Sequence, residues 1–106
     1  MTPGEVFRIR VPRDAWGHEQ RGPRYAVVVQ SSVLELSTVF VAPTSASARG
    51  TLFRPEVLLG GKRTRVLVEQ VRVVDRGRLG RPAGQLTPAE LEAVDRALET
   101  VLCLAR

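Results

Sequence analysis

The chain has 106 residues, enough for a single domain over residues 1–106, and 43% of them are hydrophobic and 25% charged. This balance excludes a disordered chain, and the single cysteine excludes an intramolecular disulfide. No apolar run is long enough for a signal peptide or a membrane span, so we expect a cytoplasmic protein without a membrane partner.

Positive charge dominates most of the chain. The formal net charge is +5, and fifteen of the sixteen basic residues are arginines. Residues 1–86 carry fourteen bases and seven acids, whereas residues 87–106 carry two bases and four acids, so the segments have net charges of +7 and −2. A basic body suits a polyanionic partner such as nucleic acid, although an arginine-rich composition also serves solubility.

Short apolar runs rich in β-branched residues predict strands along most of the chain. The predicted strands cover residues 5–11, 25–30, 38–42, 56–59, 65–68 and 71–74. Pro43 is predicted to end the third strand, and the chain is predicted to leave the sheet at residues 78–80. Residues 12–23 have the composition of a long loop.

The last twenty residues predict an amphipathic helix. Thr87 is suited to the N-cap, Pro88 to the first helical position and Glu90 to a capping box. Apolar residues then follow at helical spacing, and Cys103 in this pattern is predicted to be a small core residue. Many strands followed by one helix indicate a mainly β fold, a small bent barrel with the helix packed against it.

Six segments carry a resemblance that runs almost end to end. They are residues 4–6 (GEV), 18–30 (HEQRGPRYAVVVQ), 36–39 with 41–45 (LSTV and VAPTS), 68–75 (VEQVRVVD), 78–80 (RLG) and 86–90 (LTPAE). In order and spacing they resemble the MazF/PemK/Kid family of toxins from type II toxin–antitoxin systems. The resemblance implies an SH3-like barrel of the MazF/PemK (CcdB-like) fold, a homodimer, an antitoxin partner, and sequence-specific RNA cleavage without metal or cofactor.

Metal-free RNA cleavage uses the ribose 2′-hydroxyl as nucleophile, so it needs a proton acceptor and stabilisation of the phosphoryl oxygens. The resemblance implies that Arg24 is the catalytic arginine, and we expect charge stabilisation because a guanidinium is not deprotonated in proteins. It implies that Thr44 donates its hydroxyl to a phosphate oxygen. Glu19 is the candidate to accept the 2′ proton or to orient Arg24.

Other polar residues flank these three along the chain. The predicted RNA-binding residues are His18, Gln20, Arg21, Ser45, Ser47 and Arg49. Arg54 is a further candidate phosphate contact, whereas Glu69 is interpreted as structural. For each of the basic residues, a solvated surface position explains the sequence equally well.

The sequence departs from the family at the predicted site. Tyr25 stands where the family usually has proline, and the stretch between Ser45 and Glu56 is short. A shortened loop favours the hypothesis that a structured RNA, such as tRNA or rRNA, is cut instead of mRNA. Two other functions stay open, a CcdB-like toxin that inhibits a protein such as DNA gyrase, and a non-catalytic module that binds RNA or antitoxin.

Overall fold

The computed structural model describes residues 1–9 and 24–104, which form seven strands, two short 3-10 helices and one α-helix. Strands β1 to β7 span Glu5–Ile9, Tyr25–Val28, Thr38–Ser45, Glu56–Leu59, Lys62–Val66, Arg72–Asp75 and Leu79–Gln85, and helix α1 spans Pro88–Leu102. The 3-10 helices span Val68–Gln70 and Arg76–Arg78. The fold is therefore mainly β with a C-terminal helix, as the sequence predicts.

All strand pairs are antiparallel, and the strand order is β4-β5-β3-β2-β1-β7, with β6 also paired to β3. Strand β3 is the centre of this arrangement. It pairs with β6 over residues 38–41, with β2 over residues 41–43, and with β5 at Thr44 and Ser45. A long strand shared between two parts of a sheet lets the sheet curl, and here it gives a half-barrel.

The β4–β5 hairpin shows how local sequence sets a turn. Leu59 pairs with Lys62, so Gly60 and Gly61 are the two central residues of the turn. Their φ angles are +58° and +79°. A two-residue hairpin turn with two positive φ angles favours glycine at both positions, which explains the Gly-Gly pair between β4 and β5.

The curled sheet buries a separate apolar cluster on each face. Helix α1 places Val94 and Ala97 against the first cluster, which also contains Val27, Ala42 and Val66. The second cluster, on the other face, contains Ala26, Val28, Val39, Val41 and Val74. Successive residues of β2 and β3 thus alternate between the helix side and the opposite side, as strand geometry requires. This alternation fixes which side chains reach the candidate site.

The predicted helix start is confirmed in detail. The Thr87 side chain accepts a hydrogen bond from the Glu90 backbone N–H at 3.1 Å, and Glu90 Oε1 accepts one from the Thr87 N–H at 2.9 Å. The second carboxylate oxygen of Glu90 accepts from the Leu58 N–H at 2.8 Å. The capping box therefore also ties helix α1 to the β4–β5 hairpin.

Three strand predictions need correction. Strand β3 continues through Pro43 to Ser45, and Pro43 O accepts a hydrogen bond from the Leu67 N–H. Strand β5 covers Lys62–Val66, and residues 68–70 form a 3-10 helix instead of its end. The chain also stays in the sheet after residue 78, because Leu79–Gln85 forms β7 against β1 with two register shifts. The predicted part of the first strand at residues 10–11 lies outside the described residues.

The prediction for Cys103 was wrong. This residue is exposed, and it is the C-cap of helix α1 with φ +57° and ψ +45°, a left-handed conformation. The side of the helix that faces the core has Val94 and Ala97 buried and Leu91, Leu98 and Val101 partly buried, so Cys103 lies beyond the last helix residue that packs on the core. Within the described residues, no helix is long and apolar enough to cross a bilayer.

Candidate active site

Arg24 lies at the mouth of β2, where the backbone is held by the neighbouring strand. The Ile9 N–H donates to the Arg24 carbonyl oxygen at 3.0 Å, which extends the β1–β2 pairing by one position. The Arg24 side chain is half-buried and lines a surface pocket. The other lining residues are Ile9, Tyr25, Pro43, Arg72, Val74 and Arg78. Three arginines therefore share one pocket with a largely apolar wall.

The electrostatics of this pocket act on Arg24. Partial burial lowers the pKa of the Arg24 guanidinium from its ordinary value, and the positive charge of Arg72 lowers that pKa further. Both effects disfavour the charged form, and the attraction of a bound anion would offset them. The guanidinium remains protonated at neutral pH. The pocket is thus suited to bind a phosphate or another oxyanion.

Arg72 and Arg78 were not predicted as site residues, and the fold explains how they arrive there. Arg72 pairs with Val41 in the β3–β6 register, and Val41 belongs to the cluster opposite the helix. Arg78 ends the 3-10 helix whose N-cap, Asp75, accepts a hydrogen bond from the Gly77 N–H at 2.8 Å. Arg72 could have been found from the sequence. It stands two residues before the buried Val74 in the same strand, and residues two apart in a strand point to the same face.

Thr44 contacts Tyr25, the residue that follows Arg24, and does not line the pocket of Arg24. Its side chain is buried, and its Oγ1 donates a hydrogen bond to the Tyr25 carbonyl oxygen at 3.1 Å. Thr44 pairs with Val66, a member of the helix-side cluster, whereas Pro43 lines the pocket of Arg24. Alternation therefore directs Thr44 to the helix side. The hydroxyl holds the residue that follows Arg24, and direct donation to a phosphate stays a prediction.

The remaining predicted residues fall into two groups. Ser45 is buried at the end of β3, its hydroxyl lies 3.4 Å from that of Ser47, and it accepts the Ser47 N–H at 3.3 Å. Ser47 and Arg49 are exposed on the segment that follows β3. Four further predicted site residues lie outside the described residues, namely His18, Glu19, Gln20 and Arg21.

Arg54, a candidate phosphate contact, is paired within the protein. Its Nε and Nη2 donate to Glu69 Oε2 at 3.0 and 2.6 Å, and its Nη1 donates to the Arg49 carbonyl oxygen at 3.2 Å. Arg65 Nη1 in turn donates to the Arg54 carbonyl oxygen at 3.0 Å. Arg54 therefore fixes the segment between β3 and β4 onto the 3-10 helix that carries Glu69, in line with the structural interpretation of Glu69.

The Arg54–Glu69 pair predicts a pH dependence of stability. The hydrogen bonds from Arg54 lower the pKa of the Glu69 carboxyl below its ordinary value of 4.5. A depressed folded-state pKa contributes stability that is present above the unfolded-state pKa and is lost as the pH falls through the folded-state pKa. We expect Glu69→Gln to lower the free energy of unfolding by about 1 kcal/mol at pH 7.

The test is denaturant unfolding of the parent and Glu69→Gln from pH 7 to pH 2. The difference between their free energies of unfolding is expected to stay constant down to about pH 5 and to shrink below pH 4.5. Glu92→Gln is the matched control, because the Glu92–Arg96 pair is largely exposed. An equal pH-dependent loss in both variants would contradict the role given to Arg54 and Glu69.

Comparison with known proteins adds a family to this geometry. Residues 2–102 match the family model described as the PemK-like, MazF-like toxin of type II toxin–antitoxin systems. The chain belongs to the PemK/MazF-like toxin family. This PemK/MazF-like toxin is also 46% identical over 71 residues to Rv3098A of Mycobacterium tuberculosis strain H37Rv, a protein named only as a toxin candidate, with 67% of each chain covered. The predicted resemblance is thereby confirmed.

Solved structures support the fold independently of close sequence similarity. A mycobacterial endoribonuclease in complex with its cognate antitoxin superposes with a TM-score of 0.79 at 20% identity, covering 100% of this chain and 98% of that chain. MazF of Deinococcus radiodurans gives 0.78 at 22% identity, covering 97% and 96%. The Mycobacterium tuberculosis toxin MazF-mt6 gives 0.75 at 17% identity, covering 93% and 96%. The architecture of the PemK/MazF-like toxin is therefore the MazF-type barrel with a C-terminal helix.

Proposed function

We propose that this toxin is a metal-independent endoribonuclease that cleaves RNA by attack of the 2′-hydroxyl and thereby inhibits translation and growth. The observation that carries the proposal is the position of Arg24, which is half-buried in a pocket that it shares with two more arginines. The pocket lies in a chain of the PemK/MazF-like toxin family. Structures with the same fold include an endoribonuclease bound to its antitoxin. An arginine-lined pocket of this kind is suited to a phosphodiester.

The proposed reaction is a transesterification at the scissile phosphate, in which three side chains have separate roles. The 2′-oxygen attacks phosphorus and loses its proton, the P–O5′ bond breaks, and the 5′-oxygen gains a proton, which gives a 2′,3′-cyclic phosphate and a 5′-hydroxyl. Arg24 stabilises the negative charge that grows on the non-bridging oxygens. Glu19, which lies outside the described residues, is proposed to accept the 2′ proton. Thr44 is proposed to hold the strand end that carries Arg24.

Partners follow from the same family membership. We propose a homodimer, because a chain of 106 residues buries only part of its apolar surface alone, and Phe40 and Val73, which pair across β3 and β6, are 43% and 50% exposed. A cognate antitoxin is the second proposed partner, since MazE–MazF complexes of Deinococcus radiodurans have the same fold. We place the toxin in the cytoplasm, where its RNA substrate is found.

The test is incubation of purified toxin with total RNA in excess chelator, followed by sequencing of the cut ends. We expect cuts at one short sequence, with cyclic phosphate and 5′-hydroxyl ends. Cuts in tRNA or rRNA would favour a structured substrate, and cuts spread only through messages would favour mRNA. Intact RNA in chelator with cleavage restored by a divalent metal would overturn the metal-independent reaction, and a 3′-hydroxyl end would exclude attack by the 2′-oxygen.

A further inference from the structure

The pocket of Arg24 contains more positive charge than one phosphate requires. Arg24, Arg72 and Arg78 line it together, and among its described lining residues there is no carboxylate. The three guanidiniums come from three elements, namely the mouth of β2, the first residue of β6 and the last residue of a 3-10 helix. Gathering like charges in a partly buried site costs free energy, so the arrangement indicates a polyanionic ligand.

The positions of the two additional arginines are fixed by the fold. Arg72 begins β6 and is followed two residues later by Val74, which is buried in the cluster opposite the helix. Arg78 belongs to the turn that Asp75 caps, immediately before β7 pairs with β1. Both side chains are partly buried, in contrast to Arg63, whose side chain is 81% exposed. A partly buried arginine on a rigid element loses less conformational entropy on binding than a mobile surface arginine.

We propose that Arg72 and Arg78 form a second phosphate subsite beside Arg24, which binds the backbone phosphate next to the scissile one. That the ligand is RNA rests on the proposed endoribonuclease function, whereas the existence of an anion subsite is inferred from the three arginines of the pocket alone. In this arrangement Arg24 acts on the reacting phosphate, and the subsite sets the register of the strand. It binds a phosphate equally in the ground state and the transition state, so it lowers KM without raising kcat.

The binding test uses a random-sequence 2′-O-methyl RNA 12-mer, which cannot undergo 2′-attack, so binding is measured without cleavage. Affinity is measured by anisotropy between 50 and 300 mM NaCl for the parent, Arg72→Ala, Arg78→Ala, Arg72→Gln and Arg63→Ala. Loss of one phosphate contact on a single strand reduces the slope of log K against log salt by about 0.7. We expect this loss and an affinity about tenfold lower for Arg72→Ala and Arg78→Ala at 100 mM NaCl.

Arg63→Ala is the matched control, because it removes the same charge from an exposed position and is expected to leave the slope within about 0.2 of the parent. Arg72→Gln keeps three side-chain carbons and has an amide in place of the guanidinium, and it replaces Arg72→Ala if the alanine variant does not fold. An unchanged slope in the folded Arg72 and Arg78 variants, or an equal change in Arg63→Ala, overturns the subsite.

The kinetic test separates the subsite from the reaction. On a cleaved RNA we expect Arg72→Ala and Arg78→Ala to raise KM about tenfold and to change kcat by less than about threefold. A fall in kcat with unchanged KM would place these arginines at the reacting phosphate and overturn the proposal. If the parent binds the 2′-O-methyl RNA and the Arg72 and Arg78 variants lose slope as expected, but the parent cleaves no RNA, the proposed endoribonuclease function fails and the subsite stands.

Discussion

Replacement of Arg24 by alanine is expected to lower kcat for RNA cleavage by about 10²–10³-fold, with a much smaller change in KM. The guanidinium lies in a partly buried pocket, where an interaction with developing charge is stronger than in water. Burial and Arg72 both lower the pKa of Arg24, so the charged group is destabilised until an anion arrives. Attraction to the phosphoryl oxygens offsets that destabilisation most when they carry the most negative charge. Single-turnover cleavage at saturating enzyme measures the effect.

Arg24→Lys separates charge from geometry. Lysine keeps the positive charge but has no planar pair of donors for two phosphate oxygens, so we expect it to recover at most about a tenth of the lost rate. Arg63→Ala is the control for net charge, because this side chain is 81% exposed on β5. The assignment of Arg24 fails if Arg24→Ala folds and cleaves like Arg63→Ala. Loss confined to KM would instead make Arg24 a simple binding residue.

The sequence predicted the elements whose local chemistry is unambiguous. The capping box at Thr87 depends on neighbouring residues only, and it is found in the structure. Strand β7 was missed because its sequence, LGRPAGQ, has two glycines, one proline and no apolar alternation. Most of it is exposed, and it is a strand because β1 supplies a pairing edge. Tertiary pairing therefore overrides local propensity there.

The site was predictable only in part, for a related reason. Arg24 was found through the resemblance to the MazF/PemK/Kid family, and the structure places it in a pocket. Arg72 and Arg78 stand about fifty residues later in the chain and meet Arg24 only through the β2–β3–β6 pairing. Strand register decides which side chains converge, and a single sequence does not give that register.

Thr44 was predicted from the resemblance, but its side-chain hydrogen bond could not be predicted from the sequence. The resemblance implies a hydroxyl that donates to the phosphate, whereas in the structure this hydroxyl donates to the Tyr25 carbonyl oxygen on the helix side of β3. A hydroxyl has one proton to donate. Donation to phosphate therefore requires release of the Tyr25 carbonyl, while a positioning role uses the hydrogen bond as it stands. Ser45, the next residue, shares the strand face of Pro43, which lines the arginine pocket.

We expect Thr44→Val to lower kcat about tenfold, because loss of one partly buried hydrogen bond loosens the strand end that holds Arg24. Thr44→Ser keeps the hydroxyl and is expected to retain most of the rate. The decisive measurement repeats both rates on RNA in which sulfur replaces one non-bridging oxygen of the scissile phosphate. Sulfur accepts hydrogen bonds weakly, so a group that donates to that oxygen loses its effect on the sulfur substrate.

A positioning residue and a direct donor differ in how the effect of the Thr44 substitution combines with the effect of sulfur in the RNA. If Thr44 acts through Tyr25, Thr44→Val slows cleavage by the same factor on the oxygen substrate and on each sulfur diastereomer, because the two perturbations are independent. If Thr44 donates to a non-bridging oxygen, its substitution has little further effect on one diastereomer. Ser45→Ala is measured in parallel, and non-additivity there would transfer the donor role to Ser45. Since Thr44 is directed to the helix side and Ser45 to the side of the arginines, we expect additive behaviour for Thr44.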